Sequence, residues 1–553
     1  MCGIWFCLGN VRPMYDPKLW VNRLSARGPE SMEIKDLSSS TMGFTRLAIN
    51  GLTKEGMQPF SRESIHWMCN GEIYNWKDIA ITINQSGSDC EVLGDLYLQY
   101  QDTLQSFFKS LDGVFSIVIV DEVRGRAIVG RDPYGVRPLY IGTKNQYTIV
   151  SEGLLKFEPS HVVFSSELKA LIPLCDTVTP FPPGSFQVWD LATKKMISSE
   201  RYHSVPWLTN PLYTSLNPCG LDMACMSLRF ALEAAVNKRM LMERPVAALL
   251  SGGIDSSLIA SLVQKSLRAA GKPPLKTFSI GMKGSSDLKY AKKVADWIGS
   301  DHTEICLTAD EFFKAIPDVI HAIETFDTTT VRASVGNWLV SKKIRELSNC
   351  KVVFNGDGSD EVFGSYLYFY KAPSDQAFEE EVTRLLTDIH MFDVQRSDRS
   401  ISSHGLEPRT PFLDKQFVGV ARSIATEWRR PIKGVQVEKW ILRRAFDDGI
   451  TLPHEVLWRR KEAFSDGVSG HEKSWYEEIQ ERVSAYISNE NFQNASLQFP
   501  HLTPKTSEQY YYRYIYEVYF GKVTTLPYFW MPNWSPEATD PSARTLGSLY
   551  ETT

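Results

Sequence analysis

Residue 2 is a cysteine, directly after the initiator methionine. A small residue there permits removal of Met1. Cys2 would then carry a thiol nucleophile and, in its own α-amino group, a base with an ordinary pKa of about 8. Taken alone, an N-terminal cysteine is a weak signal and reads more readily as inert. A second reactive stretch is residues 247–257, ALLSGGIDSSL. An apolar segment enters Ser251-Gly252-Gly253-Ile254-Asp255-Ser256-Ser257, and a helix begins there. Glycines let a backbone approach a phosphate closely, serine hydroxyls and helix N-terminal amides donate to it, and the helix dipole favours the anion. No lysine follows, so this is not a Gly-Lys-Ser/Thr loop. The packing alternative is a Gly/Ser turn with Asp255 as a cap.

These residues need elements to hold them. The chain of 553 residues suggests about two to four domains. Its first two hundred residues read as β-rich: apolar runs at 65–70, 114–121, 127–130, 138–142, 162–165 and 185–191 alternate with turn signals. Two packed antiparallel sheets suit them. Residues 202–220 carry three prolines and read as a linker. Beyond it, apolar strands at 246–250, 276–282, 302–307 and 352–354 alternate with helices at 223–241, 257–270 and 288–298. That alternation argues for a parallel, helix-covered sheet. Residues 372–521 read as mostly helical, and a Pro/Ser/Thr-rich tail that lies over the surface or frays follows 532.

Composition excludes several classes. With 60 Lys+Arg against 65 Asp+Glu the net charge is −5, which is not the signature of a nucleic-acid binder. The 43% hydrophobic content excludes disorder over the whole chain. No apolar run is long enough to span a bilayer, and the N-terminus lacks a secretory pattern. Nine cysteines without a CxxC pair argue against a metal site or disulfide framework and for a reducing cytoplasm. Cys7, Cys69, Cys306 and Cys350 read as small buried hydrophobes.

The residues after Cys2 form an ordered series: MCGIW at 1–5, RGPE at 27–30, RLAIN at 46–50, NGEIYN at 70–75, GSD at 87–89 and RDPYGVRPL at 131–139. In this order they resemble class II glutamine amidotransferase domains of the N-terminal-nucleophile type. The resemblance implies Cys2 as nucleophile and the Asn70 side chain and Gly71 N–H as oxyanion donors. It assigns Arg46 to the glutamine α-carboxylate. Glu72 and Asp89 would take the α-amino group, with backbone help from Leu47 and Ile49. Thr45 stands where relatives often have His, and Glu30 where Asp is usual.

The Ser/Gly loop resembles the pyrophosphate loop of AMP-forming ATP pyrophosphatases. By that resemblance Ser251, Gly252, Gly253, Asp255, Ser256 and Ser257 face ATP phosphates, and Leu250, Ile280, Asn355 and Gly356 lie near the adenosine. The expected metal is Mg²⁺, with the hard carboxylates of Asp255 and Asp360 as ligands. Residues 327–334 (DTTTVRAS), 405–414 (GLEPRTPFLD), 458–467 (WRRKEAFSDG), 510–513 (YYYR) and 540–546 (DPSARTL) complete a resemblance to glutamine-hydrolysing asparagine synthetases over essentially the whole chain.

The resemblance implies a fold and a two-site reaction. The fold is an α+β N-terminal-nucleophile hydrolase-like sandwich, then an α/β doubly wound parallel-sheet ATP-pyrophosphatase domain with additional helices. The expected division is 1–205 glutaminase, 206–220 linker, 221–532 synthetase and 533–553 tail. Aspartate would be activated as β-aspartyl-AMP and would receive ammonia from glutamine, giving asparagine, AMP and pyrophosphate. Thr329, Thr330 and Arg332 would contact aspartate and phosphate, Lys461 would stabilise transition-state charge, and 407–414 would form an interface or an active-site wall. The partners are then L-aspartate, L-glutamine and ATP, with no nucleic acid and no membrane, and room for a homodimer. One departure matters: Asp357 stands where the family usually has Glu. It keeps the charge but is one methylene shorter, and a carboxylate misplaced by ~1 Å can cost on the order of 100-fold. A small backbone shift or a bridging water would let it serve. The alternative is a regulatory or binding protein that keeps a glutaminase beside an impaired synthetase site.

Overall fold

The computed structural model describes the chain except residues 10–15, 81–83, 151–153, 173, 208–209, 463–466, 471–472, 488–491, 537, 539 and 543–553, and except the side chains of 145–150 and 154–159. Among the described residues the N-terminal half holds two antiparallel sheets of six strands. The first runs Thr177–Pro180, Tyr140–Val150, Leu154–Ser165, Gly3–Leu8, Ser40–Arg46, Ser31–Asp36. The second runs Met196–Arg201, Ser185–Asp190, Arg126–Arg131, Gly113–Asp121, Ile65–Ile73, Phe60–Arg62. Strand alternation sends Ile4, Phe6, Leu8, Met42 and Phe44 from one sheet against Met68, Val118, Val120 and Val129 from the other, so the sheets bury a shared core. The opposite face of the second sheet packs Trp67, Cys69, Phe115 and Ile117 under the helices Leu93–Tyr100 and Leu104–Ser110.

The C-terminal sheet is wholly parallel, in the order Asp301–Cys306, Lys276–Gly281, Val246–Leu249, Val352–Phe354, Glu407–Arg409. Helices Ile254–Ala269, Ser286–Ile298 and Thr328–Leu347 connect its strands, as the sequence alternation requires. The strand Glu407–Arg409 is too short and polar to register as an apolar run, and it was anticipated only as an interface or wall. Cys7, Cys69 and Cys350 are buried as expected, whereas Cys306 is exposed. The reason is positional: its strand is at the edge of the parallel sheet. No described helix is long and apolar enough to cross a membrane.

One helix defies composition. Asp393–Ser402 (DVQRSDRSIS) buries nine of its residues, among them Gln395, Arg396, Asp398 and Arg399. Buried polar groups require partners, and those partners lie on both halves of the molecule.

Candidate active sites

Cys2 opens the strand Gly3–Leu8 at the rim of the sandwich. Its backbone N–H donates to Asn70 Oδ1 at 3.1 Å, and its thiol lies 3.7 Å from the Leu47 carbonyl oxygen. Burial pushes the thiol pKa up. Cys2, Arg46, Leu47, Ile49, Gly71, Glu72 and Asp89 line one small pocket, and Asn70 reaches it through its bond to Cys2. All the residues assigned to glutamine are thus brought together. Arg46 is aimed by carbonyls of the loop that follows it: Nη1 donates to Thr53 O at 2.6 Å and Nη2 to Gly51 O. Asp89 Oδ2 accepts from the Ile73 N–H at 2.7 Å, and Asn50 Nδ2 donates to Glu72 Oε2 at 2.8 Å. Burial pushes Glu72 well above the carboxylate range and Asp89 up to about 6. Two buried acids beside one arginine offer charges complementary to a zwitterion, although Glu72 already has the Arg409 guanidinium at 3.4 Å.

The second site is a cleft of about 220 Å³ at the carboxyl ends of the parallel strands, where open α/β sheets bind ligands. Leu250, Ser251, Gly253, Asp255, Ser256, Ile280, Thr329, Thr330, Asn355, Gly356, Asp357, Asp360 and Lys461 line it, so the separate motifs converge. The Ser/Gly loop is preformed by its own hydroxyls: the Ser251 N–H donates to Ser256 Oγ at 3.1 Å and the Gly253 N–H to Ser251 Oγ at 3.3 Å. Gly252 has φ +74 and a Cβ there would meet the Tyr290 backbone at 2.5 Å, so only glycine fits. A Cβ at Gly356 would meet the Ser256 N–H nitrogen at 2.7 Å, which keeps the two loops in contact. Ser257, by contrast, is fully buried in the helix Ile254–Ala269 and does not face the cleft.

A lysine not singled out in the sequence organises the acids. Lys439 Nζ is 2.6 Å from Asp255 Oδ2 and 2.7 Å from Asp360 Oδ1, and Lys461 also pairs with Asp360. Burial opposes ionisation of Asp360, but the two ammonium groups outweigh it and hold its carboxyl well below the usual range. Asp255 Oδ1 is buried without a partner. The two carboxylates therefore already share a cation and keep a free oxygen, a donor set that fits a hard divalent ion. Thr329 Oγ1 is likewise unpartnered, whereas Thr330 Oγ1 donates at 2.8 Å to Asp327 Oδ2, the carboxylate that caps the helix.

Arg332 is a correction. It points away from the cleft: Nε donates to Glu508 Oε1 at 2.7 Å and Nη1 to Asp540 Oδ1 at 2.8 Å. Arg332 lies two residues past Thr330, roughly 200° of helix rotation, so it leaves a different side of the helix Thr328–Leu347 and ties in the helix Ser507–Phe520 and the tail. The tail thus docks at Asp540. Residues 463–466 and 543–546 of two sequence motifs lie outside the described residues. Arg332→Ala is expected to lower unfolding stability by about 3–5 kcal/mol, because it strands buried carboxylates, while the KM for aspartate stays unchanged. Denaturant titration and initial rates check both halves.

The two sites share a wall. Arg27 donates from Nε to the Cys2 carbonyl at 3.1 Å and from Nη1 to Asp398 Oδ2 at 2.7 Å and Ser402 Oγ at 2.9 Å. Two residues earlier on the same helix, Arg396 Nη2 holds Asp357 Oδ1 at 2.8 Å. Arg409 lies 3.4 Å from Glu72 and donates to Glu407 at 2.9 Å. Sequence reading missed Arg396, Asp398 and Lys439, and covered Arg409 only within the stretch 407–414. The available signal was the run of charges in 393–402, which reads as a solvated face until partners from the other half are counted.

The similarities to known proteins follow this geometry. Residues 1–205 match the family described as glutamine amidotransferase domain, and residues 227–378 and 371–520 match that described as asparagine synthase. The Gallus gallus protein named asparagine synthetase (glutamine-hydrolyzing) is 39% identical over 574 residues, covering 99% of this chain and 98% of that one. The Homo sapiens protein of the same name is 39% identical over 573 residues with the same coverage. Likeness of that extent spans both pockets and the wall between them, and the chain belongs to the glutamine-hydrolysing asparagine synthetase family.

Proposed function

We propose that the chain makes L-asparagine from L-aspartate and ATP with ammonia taken from L-glutamine, through β-aspartyl-AMP, releasing AMP and pyrophosphate. The observation that carries the reading is the pairing of two complete pockets: a zwitterion receptor around Cys2 and a phosphate-loop cleft lined by acids and lysines. The division of labour is 1–205 for glutamine hydrolysis, 206–220 as linker, 221–532 for synthesis and 533–553 as tail. The sparse cysteines, without a CxxC pair, support a reducing, cytoplasmic setting.

In the first pocket, loss of Met1 turns the Cys2 amide nitrogen into an amine. That amine takes the thiol proton, and the thiolate attacks the glutamine side-chain carbonyl. With Met1 in place the terminal amine is instead buried, 3.9 Å from Glu407, and burial lowers its pKa. Asn70 Nδ2 and the Gly71 N–H take the developing oxyanion. Among the described residues Asn70 Nδ2 donates a long bond of 3.4 Å to Ser166 Oγ, which leaves it ready to turn to substrate. Protonated by the Cys2 amine, ammonia leaves, and water releases glutamate from the thioester. In the second pocket the Ser/Gly loop cradles the β and γ phosphates while the aspartate β-carboxylate attacks the α phosphorus. Thr329 and Thr330 stand against aspartate, and Lys461 neutralises the leaving pyrophosphate. Asp255 and Asp360 would hold Mg²⁺, which supplies further charge neutralisation to the phosphates.

Identifying the products formed from labelled aspartate and amide-labelled glutamine tests the reading: labelled nitrogen should appear in asparagine, with one pyrophosphate per turnover. A regulatory protein with an impaired second site would form glutamate but no pyrophosphate. A pH dependence follows from Asp89. Its pKa of about 6 means that acidification through pH 6 removes the charge that binds the glutamine ammonium. The KM for glutamine is expected to rise as pH falls below about 6, while the KM for aspartate stays flat. The sign for stability is opposite: a carboxyl raised in the folded state binds more protons than in the unfolded chain, so its burial costs stability as pH rises from about 4 to 6.

A further inference from the structure

Cys69 and Cys90 are used by neither site's chemistry, yet both line the glutamine pocket. Cys69 lies on the strand Ile65–Ile73, immediately before Asn70; Cys90 lies in the turn Asp89–Val92, immediately after Asp89. The fold faces them at each other. Cys90 Sγ is 3.8 Å from the Gly71 carbonyl oxygen, and strand alternation puts Cys69 on the same side of the strand as Gly71. Both side chains belong to one buried cluster, and the Cys69 thiol is the neighbour that most raises the Cys90 pKa. Both backbones are clamped: the Cys69 N–H donates to Gln58 Oε1 at 2.7 Å, and the Cys90 carbonyl accepts from Trp67 Nε1 at 3.0 Å.

We propose that Cys69 and Cys90 form a reversible disulfide that shuts the glutamine pocket while leaving the synthetase cleft at work. The oxidant is a hydroperoxide small enough to enter the empty pocket. One thiol, as thiolate, attacks the peroxide oxygen and becomes a sulfenic acid as water leaves. The second thiol displaces that hydroxyl as a second water, and the S–S bond forms. Two thiols are oxidised, one peroxide is reduced and two waters are released. Buried thiols resist oxidation: the Cys69 thiol and burial both push the Cys90 thiol pKa up. The pair therefore stays reduced until a strong oxidant arrives, and bound glutamine bars its entry.

The bond would contract the space between the strand and the turn and drag the neighbours of each cysteine. Asn70 holds Cys2, and Asp89 holds Ile73, so both are displaced together. A displacement of ~1 Å in such groups costs on the order of 100-fold. That effect rests on the glutaminase reading above; the disulfide itself does not.

The test treats the full chain with hydrogen peroxide, with and without saturating glutamine, blocks remaining thiols, and maps peptides. Expected are a Cys69–Cys90 cross-linked peptide, slowed by glutamine and reversed by a dithiol reductant. In step with it, glutamine-dependent synthesis should fall on the order of 100-fold while ammonia-dependent synthesis holds. In Cys90→Ala, measured against its own untreated rate, this reversible component should vanish. If that variant does not fold, the map of the native chain decides. Recovery of Cys69 and Cys90 unlinked from inactivated enzyme overturns the proposal, and so does the linked pair with glutamine-dependent synthesis intact. Failure of the glutaminase reading would show earlier, as no glutamine-dependent activity in the untreated chain.

Discussion

Cys2→Ala is expected to lower glutamine-dependent asparagine formation by on the order of 10⁴-fold or more, with ammonia-dependent formation unchanged. The magnitude follows from what the residue supplies. Removing a nucleophile from a unit whose members act together leaves only binding and oxyanion stabilisation, and here the base sits on the same residue. The selectivity follows from geometry. The Cys2 side chain touches the Leu47 carbonyl and the pocket wall, whereas the contact with the other half of the molecule runs through the Cys2 backbone carbonyl to Arg27. Alanine keeps that carbonyl. Arg27 therefore still holds Asp398, and the helix Asp393–Ser402 still carries Arg396 to Asp357. Rates with glutamine and with ammonium chloride, measured on one preparation, check it. A parallel fall of both would mean that the thiol itself supports the second site.

Both pockets were legible because their residues are consecutive. Arg46 to Asn50, Asn70 to Glu72 and Ser251 to Ser256 each form a local segment whose backbone fixes the relation of one side chain to the next. The parallel sheet was legible for the same reason: its four apolar strands alternate with helices. What was hidden depends on contacts hundreds of residues apart. Arg27 meets Asp398, Lys439 meets Asp255, and Arg409 meets Glu72. No local pattern distinguishes such a charge from one that faces water. Burial alone reveals it, because a buried ion without a partner is too costly to persist. Arg332 shows the converse. It sits in a motif with Thr329 and Thr330, but a helix turns by about 100° per residue. Motif membership therefore did not place its guanidinium, and a pair of distant acids did.

Asp357→Ala is expected to lower ammonia-dependent synthesis by on the order of 10²- to 10³-fold, while glutamine hydrolysis stays at the native rate. Asp357→Glu is expected to stay within about tenfold of native. The shorter acid works here because its position is set from outside. Arg396 Nη2 grips Asp357 Oδ1 at 2.8 Å and anchors itself to Asp393 Oδ1 at 2.8 Å, so the guanidinium fixes the carboxylate laterally. The second oxygen, Oδ2, is buried without a partner, on a residue that lines the cleft with Asp360 and Lys461. An unmet acceptor at that spot is costly unless substrate supplies a donor. The attacking ammonia and the aspartate ammonium both carry such donors. Asp357→Asn separates the two contributions, since it keeps the shape and removes the charge. A loss as large as that of Asp357→Ala assigns the effect to charge, and a native rate in both variants would remove Asp357 from the chemistry. If the glutamate variant instead exceeded native by about 100-fold, the arginine would be holding the shorter acid out of reach, and the second site of this chain would be a throttled one.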